Sequence, residues 1–338
     1  MTYISRMVRK VILSWRNNGL RFTIKQIVNY LKHQMEVLCF KRLYQLFSKI
    51  RISSSEIKYS LINFRYRLPN FSGLNKQKRD KKIIVSLTSF PPRINAVTIV
   101  LGILLRQTCK PDRILLYLAK DQFANRKLPL WLKLQEKCGV EVVYCDDLKS
   151  HKKYYYAMQK YPNDIVITVD DDLYYERDLV ERLYESYEKH PKAISAARTH
   201  LITFDKYGKI SPYNEWKWEY SQIIDQPSTL LIATGVGGVL YPPHCMHSEV
   251  FNKERITSLC LTADDLWLKI MQIMNNTPVV LGMEIQEPNC IKGTQESALF
   301  HENVTKNRND QQLQSILKVY NEYFGKDDTL IRRMKEDI

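Results

Sequence analysis

Three consecutive carboxylates, Asp170-Asp171-Asp172, follow directly on the apolar run Ile165-Val166-Ile167-Thr168-Val169. Adjacent acids repel one another, and a bound cation relieves that repulsion. Hard oxygen ligands suit Mg²⁺ or Mn²⁺, which keep open positions for phosphate oxygens. The competing reading of the same residues is a solvated acidic turn. A second acidic pair, Asp264-Asp265, follows Thr262-Ala263 and opens an apolar helical pattern that includes Leu266 and Ile270. That pattern reads either as a helix start whose acids complement the dipole or as a general base, with Asp265 ahead of Asp264. Lys152 and Lys153 lie just ahead of the acidic strand. They either add positive charge at a diphosphate or open an exposed helix.

Between the two acidic clusters lies Ala233-Thr234-Gly235-Val236-Gly237-Gly238. Its glycines permit close approach of the backbone to a ligand or turns with positive φ. No helix with a Lys-Ser/Thr pair follows, so this is not a phosphate loop. The expectation is a wall of the donor–acceptor pocket formed by Gly237 and Gly238. Trp216 and Trp218 are candidates to stack on an acceptor sugar, with core packing the alternative for at least one of them.

The elements that must position these residues alternate strand and helix. Ile83–Leu87 reads as a first strand ending in Thr88-Ser89-Phe90-Pro91-Pro92-Arg93. A helix follows through Val97, Val100, Leu101, Leu104 and Leu105, and Arg113–Leu118 and Val140–Tyr144 read as strands two and three. β-branched runs of this kind are strands buried on both faces, and the alternation predicts a parallel, Rossmann-like sheet. Ligands bind beyond the carboxyl ends of such strands, where the three acids stand.

The net charge of +15 is concentrated in the first quarter of the chain, since residues 1–82 hold 19 Lys and Arg against 3 Asp and Glu. Three basic amphipathic helical patterns fill residues 4–51, and the charged stretch Asn75–Lys82 reads as a linker. Residues 1–80 are therefore expected to form a basic helical segment for an anionic membrane surface, or else one that packs on the main domain, 81–338. Nucleic acid is not expected as a partner, because no recognition motif accompanies the charge. Seven scattered cysteines without a CxxC pair argue against a disulfide framework or zinc site. No apolar run approaches the ~18–20 residues that span a bilayer, and no signal peptide is read. The expected location is cytoplasmic, peripheral to the inner face of the membrane.

The first strand with its Thr-Ser turn, the QTxxPxxI stretch from Gln107 to Ile114, and the strand-borne acids occur in an order that resembles GT-A-fold glycosyltransferases. The likeness is greatest to the family 2 type of bacterial surface-polysaccharide synthesis, and it covers about residues 83–300. It implies a GT-A-like, mostly parallel central sheet flanked by helices, and transfer of a sugar, with a hexose expected, from a nucleotide donor to a glycan or lipid-linked acceptor. A UDP-sugar is the expected donor and Mn²⁺ or Mg²⁺ the expected cofactor. By resemblance Asp172 becomes the metal ligand, with Asp170 as a second ligand or beside the ribose or donor sugar. Asp171 joins the donor site, and Thr88, Ser89 and Arg93 face base and ribose. Family members often place an Asp at the end of strand two. Here Leu118-Ala119-Lys120-Asp121 departs from that pattern, leaving Asp121 as the candidate. Asp264-Asp265 resembles the family's acidic pair, and His301 stands where some members supply a late metal ligand. A nucleotidyltransferase of similar fold lacks support, because no Gly-rich, Lys/Arg-bearing loop follows the first strand. An inactive membrane-bound scaffold is opposed by retention of both acidic clusters. Leu173-Tyr174 stands where a DxDxT phosphatase needs Thr.

Overall fold

In the computed structural model, the residues described are 54–124, 127–283, 288–295, 307–323 and 329–335. The chain divides into two units, residues 1–65 and 66–338. The described part of the first belongs to the helix Ser54–Arg67. The basic amphipathic patterns expected over residues 4–51, and the candidate ligand His301, lie outside the described residues. Among the described residues no helix is long and apolar enough to cross a membrane.

The second unit is built on a seven-stranded sheet. Its strands are β1 (Ile83–Ser89), β2 (Arg113–Ala119), β3 (Val140–Cys145), β4 (Ile165–Thr168), β5 (Ile194–Ala196), β8 (Val239–Tyr241) and β9 (Val279–Leu281), in the order β3-β2-β1-β4-β8-β5-β9. β1 pairs in parallel with β2 on one side and with β4 on the other, and β3 continues the parallel half beyond β2. β8 is antiparallel to both β4 and β5, while β5 and β9 are parallel. The sheet is thus mostly parallel, as the strand patterns imply, and it agrees with the GT-A-like sheet that the resemblance implies. A separate antiparallel pair joins β6 (Thr199–Leu201) to β7 (Leu231–Ala233).

Alternation along β1 shows why both faces are apolar. Ile83, Val85 and Leu87 enter a core with the helices Val97–Leu104 and Leu179–Lys189, while Ile84 packs on the opposite face with Tyr117, Ala157 and Val166. The chain runs outward from β1 through β2 to β3, then returns to place β4 on the other side of β1. That reversal opens a crevice at the carboxyl ends of β1 and β4. Residues 66–82, ahead of the boundary expected at residue 80, are tied into this unit. Arg67 Nε donates to Thr98 Oγ1 at 3.1 Å, the Asn75 N–H donates to the Pro111 carbonyl at 2.8 Å, and Arg79 pairs with Asp112 at 3.0 Å.

The helix Val97–Leu104 is buried along its whole length, and its Gly102 lies against the Tyr66 backbone, where an added Cβ would overlap the Tyr66 carbonyl. Gly102→Ala is therefore expected to destabilise the unit by about 1–3 kcal/mol, the usual range for overpacking. Thermal melting should show a loss of roughly 2–4 °C per kcal/mol at this size, and an unchanged Tm would mean that the packing against Tyr66 absorbs the methyl.

Candidate active site

The end of β1 delivers Thr88, Ser89 and Phe90 to the crevice, and the single turn Pro91–Arg93 then turns Arg93 back toward β4. Proline suits this first turn because its missing N–H would have no partner there. Arg93 Nη1 lies 3.0 Å from Asp171 and 2.8 Å from Asp172, and Nη2 donates to the Thr294 carbonyl at 2.9 Å. Asp171 also accepts the Ser89 hydroxyl at 2.5 Å. Both of its oxygens are thus engaged inside the protein, and it anchors Arg93 and the β1 turn. Asp172 accepts from Gln295 at 3.0 Å through the same oxygen that meets Arg93. Its pKa is pushed up to about 6, first by burial and then by the charge of Asp170.

Asp170 turns the other way. Its Oδ1 meets the Lys153 ammonium at 2.9 Å, and the same ammonium lies 3.1 Å from Asp264. Lys153 opens the helix Lys152–Lys160 and is buried, so the exposed-helix reading fails for it. Burial alone would discharge the amine; the charges of Asp170 and Asp264 outweigh that and hold it charged. Lys152 is buried as well, paired with Asp147. Burial works against the charge of Asp147, but Lys149 and Lys152 prevail and bring its carboxyl down to about 2.

Asp264 and Asp265 occupy the first turn of the helix Asp264–Met274, with no side-chain cap at its N-terminus. Their environments drive them apart. Burial opposes ionisation of Asp264, yet Lys153 outweighs it and holds the carboxyl below its usual range. Asp265 is pushed up to about 7, first by burial and then by Asp264, although both its oxygens accept the Gly235 N–H, at 3.1 and 3.2 Å. His151 fixes the preceding loop. Its Nε2 lies 2.8 Å from the Cys260 carbonyl, which can only accept, so the proton is on Nε2 and Nδ1 accepts the Tyr154 hydroxyl at 2.8 Å. Burial lowers this imidazole to about 4 and keeps it neutral.

These side chains line one cavity of about 600 Å³. Residues 132–240, which hold the three acids, Lys153 and the glycine turn, match the profile of Glycosyl transferase family 2. That span is similar in sequence to family 2 glycosyltransferases. Comparison with curated proteins gave no match. Among solved structures, a CMP:2-keto-3-deoxy-manno-octonic acid synthetase complexed with CTP is 12% identical with a TM-score of 0.36, spanning 62% of this chain and 91% of its own. A 4-diphosphocytidyl-2C-methyl-D-erythritol synthase is 11% identical with a TM-score of 0.37, spanning 66% and 96%. A putative nucleotide-diphospho-sugar transferase from Desulfovibrio desulfuricans G20 is 12% identical with a TM-score of 0.32, spanning 75% and 96%.

The cavity gathers Thr88, Ser89, Arg93, Lys152, Lys153, Asp170, Asp171, Asp172, Asp264, Asp265 and Trp218 from the expected residues. Four others fall elsewhere. Asp121 is exposed on the short helix Lys120–Phe123, and Gln122 reaches the cavity instead, donating to Asp147 at 2.9 Å. Trp216 is buried in the core, its indole N–H on the Ser211 carbonyl at 2.9 Å. Gly237 and Gly238 have φ of 94° and 100° and shape the turn, and a Cβ on Gly238 would face Leu179 and Leu183. Gly235 is the glycine of the site: a Cβ there would come within 2.7 Å of Lys153 Nζ and 3.3 Å of Asp170 Oδ1. Arg198, His200, Tyr213 and Asn309 also line the cavity, unanticipated by the sequence reading. The signal for the first two was a second apolar run, Ile194–Ala197, that ends in polar residues.

Among the described residues no cluster of three or more His, Cys, Asp or Glu is arranged to hold a metal ion. The residues present fit a cation held by two carboxylates, with phosphate and water completing its shell. Asp170 and Asp172 both line the cavity, and among the described residues one oxygen of each, Oδ2 and Oδ1 respectively, makes no hydrogen bond or ion pair. Burial first, and then the charge of Asp170, raises the Asp172 carboxyl in spite of Arg93.

Lys153→Met should leave Asp170, Asp264 and Asp265 uncompensated. The expected loss of stability is about 3–5 kcal/mol near neutral pH. The loss should shrink as pH falls, because protonation of these buried acids removes the repulsion. Urea unfolding of both proteins at pH 8 and pH 5.5 checks this; an equal loss at the two pH values would make Lys153 a packing residue rather than an electrostatic one.

Proposed function

We propose that the chain is a metal-dependent glycosyltransferase that moves a sugar, a hexose, from a UDP-sugar to a glycan or lipid-linked acceptor, in synthesis of a bacterial capsule or surface polysaccharide. The observation that carries this reading is one cavity flanked by two acidic clusters of opposed character. One cluster, Asp170 and Asp172, suits a cation and a diphosphate. The other holds Asp265, a half-buried carboxyl poised near neutral pH.

Asp265 acts as general base on the acceptor hydroxyl, whose oxygen attacks the anomeric carbon while the bond to the nucleoside diphosphate breaks. A base with a pKa near the working pH combines a useful ionised fraction with real affinity for the proton. Gly235 N–H fixes the carboxylate, and Lys153 keeps its neighbour Asp264 ionised, so the two acids do not share one proton. Asp170 and Asp172 would hold Mn²⁺ or Mg²⁺. When bound, the metal supplies Lewis-acid stabilisation of the diphosphate leaving group. Thr88, Ser89 and Arg93 form the donor end, with Gln122 and Asp147 at the end of β2 and β3 in place of the expected Asp121.

A nucleotide-sugar hydrolysis panel with and without Mn²⁺ tests the reaction class without knowledge of the acceptor; no metal-dependent turnover of any donor would remove it. Asp172→Asn should weaken UDP binding in the presence of Mn²⁺ by at least about tenfold, through loss of an anionic ligand. Calorimetry showing unchanged affinity would take Asp172 out of the metal site.

Asp265→Asn should keep that affinity and lower kcat by about 100-fold or more, the mark of a group acting in the transition state. In the wild type, kcat/KM should fall about tenfold per pH unit below about 7, as Asp265 becomes protonated. A variant within about threefold of wild-type kcat would end the assignment to Asp265.

The basic N-terminal segment is proposed to hold the enzyme on the anionic inner face of the cytoplasmic membrane. The full chain should then sediment with vesicles containing anionic lipid, less so as salt rises. Failure to bind vesicles at any salt concentration would end that reading.

A further inference from the structure

The wall of the cavity around Trp218 has a chemistry that neither acidic cluster uses. β6 carries His200, whose ring stacks on Trp218 at 5.2 Å between centroids and 12° between planes. Tyr213 meets both rings edge-on, at 6.3 Å from His200 and 5.6 Å from Trp218. The indole N–H of Trp218 is directed to the Tyr213 carbonyl at 3.2 Å, which fixes the ring.

His200 Nδ1 stands between two backbone groups, 3.0 Å from the Glu219 N–H, which can only donate, and 3.1 Å from the Thr199 carbonyl, which can only accept. Burial lowers the imidazole to about 4 and keeps the ring neutral. Among the described residues Nε2 has no partner, although His200 lines the cavity. On the same wall Asn309 is buried, and among the described residues its Oδ1 has no hydrogen-bond partner. A ring nitrogen and an amide oxygen therefore stand unused beside an aromatic surface. A buried polar group without a partner is unfavourable by about 1–3 kcal/mol, so Asn309 Oδ1 is matched to something that binds.

The charges on this wall argue against an anion. Arg198 is held by Glu219 at 2.7 Å, with a further contact to Thr234 Oγ1 at 3.4 Å. The charge of Asp265 reaches Tyr213, where burial and that charge together raise the phenol pKa. This contact also places the wall beside the proposed base.

We propose that this wall is the acceptor subsite and that it takes a neutral saccharide. A sugar ring packs on Trp218, its hydroxyls hydrogen-bond to His200 Nε2 and donate to Asn309 Oδ1, and the accepting hydroxyl faces Asp265. The proposal rests on the glycosyltransferase reading and names the chemical class of its acceptor: the group bound is a sugar ring, whether free or at the end of a carrier, and not the phosphate of a lipid.

Saturation-transfer NMR on the full chain with UDP and Mn²⁺ tests it, using methyl glycosides of glucose, galactose, mannose and N-acetylglucosamine, and farnesyl phosphate as the anionic lipid. At least one glycoside should bind. Trp218→Ala and Asn309→Leu, each shown by thermal melting to be folded, should weaken it about tenfold. The wild-type comparison needs no variant to fold: binding of farnesyl phosphate with no glycoside binding would overturn the proposal. So would glycoside binding that both variants retain in full, or no binding of any glycoside by a chain that does bind UDP with Mn²⁺. Failure of UDP with Mn²⁺ to bind the wild type would instead remove the transferase reading, and the subsite with it.

Discussion

A single buried ammonium holds the two halves of the cavity together. Lys153 lies between Asp170, at the end of β4, and Asp264, at the start of the helix Asp264–Met274. A charge this far from water persists only when paired, and removing either side would leave the other uncompensated. Much of the local structure follows from that requirement. The Ser86 hydroxyl donates to the Lys153 carbonyl, which docks the start of the helix Lys152–Lys160 against β1. Gly235 must lack a side chain, because a Cβ would press on the ammonium and on Asp170. The N–H of that same glycine then holds Asp265.

Six carboxylates line the cavity. Asp147 is served by Lys149 and Lys152, while Asp170, Asp171, Asp172 and Asp264 share Arg93 and Lys153 and, among the described residues, Asp265 pairs with neither. The outcome is uneven. Lys153 holds Asp264 below its usual range, burial raises Asp171 in spite of Arg93 and Ser89, and Asp172 and Asp265 are pushed up to about 6 and about 7. That leaves Asp172 and Asp265 with a demand for positive charge. In the proposed reaction those two demands differ in kind: Asp172 would be satisfied by a divalent ion, and Asp265 by the acceptor's proton. Two acids in similar surroundings could not divide the work in this way.

The parallel half of the sheet was legible because its strands are β-branched runs buried on both faces, and no alternation is needed to recognise them. The acidic residues were legible for the same reason, since each cluster stands at the end of an apolar pattern. What was not legible is long-range. Lys152 and Lys153 read equally as charge for a diphosphate or as an exposed helix start, because the acids that pair with them lie far off in sequence or unmarked, at Asp147, Asp170 and Asp264. Trp216 and Trp218 share a face if the segment is extended, but the turn Tyr213–Glu215 immediately precedes them and their surroundings differ, one in the core and one on the cavity. Three glycines in four positions look equivalent in sequence. Only the position of Lys153 singles out Gly235. Residues 121 and 122 exchange roles because a helix begins there and successive side chains diverge by about 100°.

The division of the fold itself bears on specificity. Donor-side groups come from the carboxyl ends of parallel strands, where the register of β1, β2, β3 and β4 is fixed by extended pairing. The opposite wall comes from β6, the turn before Trp218, and the helices Asp264–Met274 and Arg308–Tyr323, elements joined by side chains more than by sheet. The match to the family profile ends at residue 240, before the second acidic pair and Asn309. The matched span holds Lys153, Asp170 and Asp172 together with His200 and Trp218, so it reaches both walls of the cavity, while Thr88, Ser89 and Arg93 precede it. Lys153 lies within that span and Asp264 beyond it, so the ion pair between them ties the wall built by the strand ends to the helix that carries the proposed base.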